Sequence, residues 1–414
     1  MRRWRTALVY AVPVLAVAGL LLFRPSGRAP RVRDAFKRPA PAATGVFATG
    51  GEPAPLSPEV ERCFATELPR WVSALSLRTD VEPAAAAMIA AARAAQLSSG
   101  AVGRLEALVA LGALVSARSD NFGEDNAAVA ELIGQLADEL AAMGLGVTLD
   151  GDLIQAPDGR RTLVVMSFGV LEVMWLRAGE QRVRVLRAHR LDDLEVMHDL
   201  HGFSRPGLRD GVVLVDEIDG LAETVVEPAL APDAPMRLTL IPASGGFVEL
   251  TRVERRAGEI ARAELGADPE TVPAALELAV ARHEARHRLD YTAGHDPLDR
   301  VRLEVRAYLG ELADDPATPR LGLALLARAA FDRALWHTAD SVAAVHLLEQ
   351  LAPELGMGAV TILRRGEIDQ AAAAKVFLAA TERTADEVRA AAGRIWKRTY
   401  SDPLISLVRE PASL

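Results

Sequence analysis

The sequence predicts an α+β chain, mainly helical, in which a small and partly antiparallel sheet is followed by a pair of site-bearing helices, with helical N- and C-terminal regions. Three observations carry this expectation. Apolar residues recur at three- and four-residue steps in Ala84 to Ala95, Leu105 to Ala117 and Ala127 to Met143, the period of a helix with one buried face. Between Val147 and Leu250 short β-branched runs separated by turn residues replace that pattern, as strands require. Helical periodicity returns beyond Val248.

The chain has 414 residues, enough for two or three folding units. Half of them are hydrophobic and a quarter charged, a globular balance that excludes a wholly disordered or fibrous chain. The net charge of −9 leaves no broad positive field, so a nucleic-acid partner is not expected. The single cysteine, Cys63, excludes an intrachain disulfide and a four-cysteine zinc site.

Residues 1–5 form a basic tail with Arg2, Arg3 and Arg5, followed by an uncharged stretch over 6–23. At 1.5 Å per residue that stretch is near the lower limit for crossing a hydrocarbon core of about 30 Å, so a transmembrane anchor is expected. A secretory signal peptide cut after Ala16-Val17-Ala18 is the rival, but it would leave the apolar Gly19 to Phe23 as the new terminus. Arginines on both sides of the stretch oppose each other in setting orientation. The short tail before a first apolar run favours a body on the non-cytoplasmic side. Residues 24–56, with seven prolines between Pro25 and Pro55 or just beyond at Pro58, read as an extended linker.

Residues 57–150 then read as a helical region and 316–414 as a second one, with the sheet and the central helices in 151–315. Strands are expected over Leu163 to Phe168, Val170 to Leu176, Val183 to Leu186, Val212 to Val215 and Arg237 to Ile241, with a hairpin at Ala178-Gly179-Glu180-Gln181. The run Gly211 to Asp219 looks like the acidic strand of an ATPase, but no lysine lies in a glycine-rich phosphate loop. A nucleotide ligand is therefore not expected. C-terminal helices are expected over Arg320 to Arg333, Ser341 to Leu351, Gln370 to Thr381 and Ala385 to Lys397.

The chemistry-bearing segment is His283-Glu284-Ala285-Arg286-His287. Two histidines four apart project from one helix face on successive turns, close enough for both imidazoles to reach one ion. A helix opened near Pro269 and running from about Glu270 to Asp290 puts the motif deep inside it. Leu276, Val280, His283, His287 and Asp290 lie on one face, which begins as core and ends as imidazole and carboxylate. Arg282, Arg286 and Arg288 around the motif suit the rival reading of a solvated helix end. A catalytic zinc needs a third ligand. Asp290 is too far along the axis to share the ion and suits orientation of His287; His295 lies twelve positions after His283. Glu304 borders the apolar face Val301, Val305, Tyr308 and Leu312 of a second helix that can fold back on the first, and Glu311 on the same helix is the reserve.

The pentapeptide resembles the HExxH signature of zinc metallopeptidases, and with a downstream glutamate it is similar to the gluzincins, over roughly residues 283–311. The resemblance implies Zn²⁺ held by His283, His287 and Glu304, with Glu284 as general base towards zinc-activated water. It further implies Tyr308 or His295 as oxyanion donor, a peptide or protein substrate, and a sheet whose edge strand pairs with that substrate. Two alternatives remain from the residues alone: a non-catalytic, membrane-tethered helical interaction protein, and a metallohydrolase of a non-peptide substrate. His198 and His201 near a turn, and His337 and His346 in the C-terminal helices, read as polar surface or packing.

Overall fold

The computed structural model describes residues 55–116, 122–155, 160–192, 201–239, 248–266, 268–296, 299–314, 318–333 and 335–410. The expected anchor at 6–23, the linker up to residue 54 and His198 lie outside the described residues. The architecture is α+β and mainly helical, with a mixed sheet between two helical layers.

The N-terminal layer opens where Ser57 Oγ accepts the Val60 amide at 3.3 Å and Pro58 fills the first helical turn, both N-terminal devices that satisfy or dispense with orphan amides. It comprises α1 (Pro58–Glu61), a π-helical stretch (Arg62–Glu67), α2 (Leu68–Leu77), α3 (Val81–Ala94), α4 (Ser99–Ser116) and α5 (Phe122–Ala142). Phe64, Trp71, Met88, Leu105 and Leu108 are fully buried in its core. Among the described residues α4 is the helix long and apolar enough to cross a membrane by length and composition. Here its face of Leu105, Leu108, Leu111 and Val115 packs into that core.

The sheet is built from β1 (Val147–Gln155), β2 (Arg161–Ala178), β3 (Gln181–Arg190), β4 (Gly202–Phe203) and β5 (Gly211–Leu214) in the order β1-β2-β3-β5-β4. The β2–β3 pair is the expected hairpin, closed at Ala178 and Gln181 with Gly179 at φ +61°. β3 and β5 are parallel; the other pairs are antiparallel. The two strands expected at 163–168 and 170–176 are one strand, interrupted by a register shift between Val170 and Glu172 that leaves Leu171 45% exposed. A β-bulge of this kind bends a strand without ending it. Alternation divides the sheet between two cores: Val212 and Leu214 join the N-terminal layer, whereas Val213 faces the other side.

The second layer follows, with α6 (Val215–Leu221), a π-helical turn (Ala222–Val226), a 3₁₀ turn (Glu227–Leu230) and α7 (Val248–Leu265). The expected strand at 237–241 is not one over its described part. The amides of Met236 and Leu238 are taken by the Glu254 carbonyl at 2.9 Å and by Glu254 Oε1 at 3.2 Å, leaving no ladder to form. After the 3₁₀ turn Pro269–Thr271 come α8 (Val272–Thr292), α9 (Arg300–Asp314), α10 (Pro319–Phe331) and α11 (Ala339–Glu354). The chain closes with the small ribbon β6 (Leu363–Arg364) and β7 (Glu367–Ile368), then α12 (Gln370–Thr381), α13 (Ala385–Thr399) and β8 (Leu407–Arg409). β8 pairs with Leu176 to Ala178 of β2, so the C-terminal segment returns to the sheet.

Candidate metal centre

α8 packs on the face of the sheet over β3, β5 and β4, with the turn that carries Glu284 against β5. Glycine makes this approach possible: a Cβ at Gly211 would stand 2.9 Å from Glu284 Cβ, and one at Gly202 would stand 2.7 Å from both the Val212 carbonyl oxygen and Val280 Cγ1. α9 folds back antiparallel to α8, as the pairs Asp290 with Arg306 and His283 with Glu311 show. The short α8–α9 connection thereby brings the second helix alongside the motif.

Three potential ligand atoms converge between the helices. His283 Nε2 is 3.0 Å from Glu304 Oε2 and 3.1 Å from His287 Nε2, and His287 Nε2 is 3.4 Å from the same carboxylate oxygen. Ligands held about 2.0–2.1 Å from a tetrahedral ion stand about 3.3–3.4 Å apart, so this triangle has close to the edge lengths that one such ion needs. His283, His287 and Glu304 form a group that could hold a metal ion. Glu311 falls outside the triangle: its Oε1 accepts from His283 Nδ1 at 2.6 Å. That bond occupies Nδ1 and leaves Nε2 facing the triangle, the arrangement of a histidine oriented for a metal.

The potential around the imidazoles is strongly negative. Burial would lower the His283 and His287 pKa values, but Glu311 and Glu304 reverse this and raise both. Burial would raise Glu304, yet His287 and His283 hold it well below the usual carboxylate range. Such mutual stabilisation of buried imidazole and carboxylate is the charge pattern that a cation would replace. Glu284 differs: burial pushes it up to about 7, against the lowering effect of both histidines, and its Oε2 is buried without a hydrogen-bond partner.

Other expected residues sit apart from the triangle. Asp290 does not orient His287; both its oxygens accept from Arg306 at 2.9–3.0 Å, because a carboxylate 2% exposed requires a cation close by. His287 Nδ1 is buried without a partner, while the Tyr291 ring stacks on the His287 ring, centroids 6.3 Å apart. His295 stands 3.8 Å from Asp290 at the far end of α8. Tyr308 presses its edge on His283 at 4.9 Å, and its hydroxyl donates to Asp340 at 3.2 Å. His346 is a surface residue 3.5 Å from Glu349.

The arginines of α8 are not a solvated fringe. Arg282 donates to the Leu407 carbonyl at 3.3 Å and Arg286 to that of Ile405 at 2.6 Å. Arg306 of α9 also holds Asp402, at 2.7 Å, with its guanidinium over the Trp396 and Tyr400 rings at 4.6 and 4.5 Å. The C-terminal segment is thus strapped along the back of the ligand helices. Sequence reasoning missed this strap, along with Tyr291, Asp340 and the part played by His201, which lines a cavity shared with His283 and Glu284. No periodicity signals contacts between segments a hundred residues apart.

Comparison of the chain with protein-family models, with curated proteins and with solved structures gives no match.

Proposed function

We propose that the protein is a zinc-dependent hydrolase of peptide bonds, tethered to a membrane by residues 6–23 with its body on the non-cytoplasmic side. The observation that carries the reading is the triangle of His283 Nε2, His287 Nε2 and Glu304 Oε2, with edges of 3.0, 3.1 and 3.4 Å. Two nitrogens and one carboxylate oxygen suit Zn²⁺ with a fourth position left for water or substrate. A bound Zn²⁺ supplies a Lewis acid that polarises a carbonyl and makes water nucleophilic at neutral pH.

The chain's own residues divide the remaining work. Glu284, next to His283 and with Oε2 unpartnered, receives the proton of the attacking water and returns it to the leaving amine. Glu311 holds His283 by Nδ1 and leaves Nε2 facing the triangle. A peptide is favoured as substrate by the edge strand β4, whose Gly202 lines the cavity beside Glu284, since an edge strand is where an extended chain can pair.

The test is zinc analysis of the purified full-length chain beside a His283→Ala, His287→Ala double variant, with peptide hydrolysis measured in parallel. The expected result is about one zinc per chain, lost in the double variant. Glu284→Gln should keep the zinc and lower hydrolysis by about 10²–10⁴-fold. Failure to take up zinc even after incubation with the metal would remove the proposal.

A further inference from the structure

The two strands that touch Glu284 are joined by one loop. Gly202 of β4 and Gly211 of β5 leave room for that side chain: a Cβ would stand 3.0 Å from Glu284 Cγ at the first and 2.9 Å from Glu284 Cβ at the second. Residues 204–210 connect β4 to β5. The same loop meets α8 again beyond His287, where Arg288 Nη1 donates to the Arg205 carbonyl at 3.0 Å and the Tyr291 hydroxyl to that of Ser204 at 3.4 Å. On their sheet side, the turns of α8 from Glu284 to Tyr291 are thus bounded by this loop and its flanking strands.

The N-terminal layer holds the loop from the other side. Leu208 is 5% exposed in that layer's core. The chain turns just before it, with the Leu208 amide donating to the Arg205 carbonyl at 3.0 Å, and the turn abuts α5. A Cβ at Gly134, in the middle of α5, would collide with the Gly207 carbonyl and stand 3.0 Å from Gly207 Cα; one at Gly207 would collide with the Ala130 carbonyl oxygen. Gly207 does not have a positive φ, so close approach and not backbone freedom accounts for it. Glycine in the middle of a helix is unfavourable relative to alanine, and the same approach accounts for Gly134. Three ion pairs complete the hold: Asp138 of α5 with Arg209 at 3.0 Å, Asp150 of β1 with Arg205 at 2.8 and 2.9 Å, and Asp210 with Arg184 of β3 at 2.6 and 2.8 Å.

We infer that Gly134 and Gly207 are positioning residues of the metal centre: their contact lets α5 seat the 204–210 loop, and the loop with its two strands sets where Glu284 stands. The link to catalysis rests on the hydrolase reading, whereas the link from α5 to α8 rests on the contacts alone. The loop bounds Glu284 but supplies none of His283, His287 and Glu304, which lie on α8 and α9. Displacing it therefore frees Glu284 while the triangle remains.

The experiment uses the zinc-loaded full-length chain and reads zinc content, amide hydrogen exchange resolved to peptides, and kcat with KM on a peptide mixture. Gly134→Ala adds one methyl group at the contact while favouring the helix of α5. It should keep about one zinc per chain and speed exchange over 204–214 and 284–292, with α12 and α13 unchanged. Its kcat should fall about 10²-fold with KM little altered, the cost of a misplaced reacting group. Gly207→Ala, which meets α5 from the loop side, should do the same. Asp138→Asn adds no atom and breaks only the Arg209 pair; should the glycine variants not fold, its exchange must rise in the same two segments or the inference falls. Trp71→Ala, which empties the same layer beside Gly112 and not at the loop, should leave kcat of the folded protein unaltered. Exchange that rises in the loop alone, or evenly along the chain, overturns the inference, as does an equal loss of kcat in Trp71→Ala. In a chain that cuts no peptide the hydrolase reading falls, and exchange over 284–292 by itself decides whether α5 positions α8.

Discussion

On one side of the sheet Phe64, Trp71, Met88, Leu105 and Leu108 form a core in which buried charge is confined to Glu67 and Asp125 among the buried residues of 55–142. On the other side six of the ten buried residues of α8 are ionisable: Glu277, Arg282, Glu284, Arg286, His287 and Asp290. Arg306 joins them from α9, 2% exposed. Removing a charge from water is unfavourable unless a partner and hydrogen bonds replace the water. The apolar layer therefore needs no explanation beyond stability, whereas the charged layer persists through two sets of pairs. One set, Arg306 with Asp290 and Asp402, holds the C-terminal strap, and the other forms the imidazole–carboxylate triangle.

The largest effects should separate the two layers. Trp71→Ala empties a fully buried site and should lower stability by about 3–5 kcal/mol, read by denaturant unfolding, with zinc affinity of the folded protein unchanged. Arg306→Met should lower stability by a similar amount, about 3–5 kcal/mol, because Asp290 is left buried without its cation. It should also weaken zinc binding, since the Asp290–Arg306 pair sets the approach of α8 to α9. Adding Asp290→Asn to Arg306→Met should recover part of the loss, as expected when the penalty is an unpaired charge. A double variant as unstable as the sum of the single changes would show the pair to be only packing.

A smaller effect probes the contact between the charge network and the proposed metal. Glu311→Gln keeps the shape of the side chain but weakens its hold on His283 Nδ1. Zinc affinity should fall about 10–100-fold with thermal stability of the metal-free protein changed little. Unaltered affinity, measured by chelator competition, would take Glu311 out of the site.

How much of this was legible depends on the range of the contact that determines it. Helical periodicity located α3, α5 and α8, and the four-residue spacing of His283 and His287 was enough to put both imidazoles on one face. The return of α9 followed from a short connection and an apolar face, and Glu304 meets the histidines as that geometry requires. β1 was not anticipated: Thr148 and Asp150 are buried within it along with Leu149, and Asp150 is made tolerable by Arg205 at 2.8 Å, a residue far along the chain. β8 is three residues long and exists through its pairing with β2. Arg282 and Arg286 read as solvent-facing because arginine usually is; their carbonyl acceptors lie more than a hundred residues downstream. The cavity required the relative placement of three helices, which no single segment encodes.

The smallest effect asks whether the two layers open together. Cys63 is fully buried in the apolar layer, and burial, with Glu67 adding to it, pushes its thiol up to about 12. Alkylation at pH 8 therefore has to wait for that layer to open, since the reactive species is the exposed thiolate. The proposed zinc site lies in the other layer, but the sheet belongs to both: Val212 packs towards Cys63's core and Val213 towards that of α8. A strand cannot release one face and keep the other, so the layers should open as one unit. Zinc at ten times its dissociation constant should then slow Cys63 labelling about tenfold, equivalent to about 1.4 kcal/mol. Labelling that ignores zinc, in a chain shown to bind it, would mean that the N-terminal helices detach from the sheet on their own and that the apolar layer is a separate folding unit.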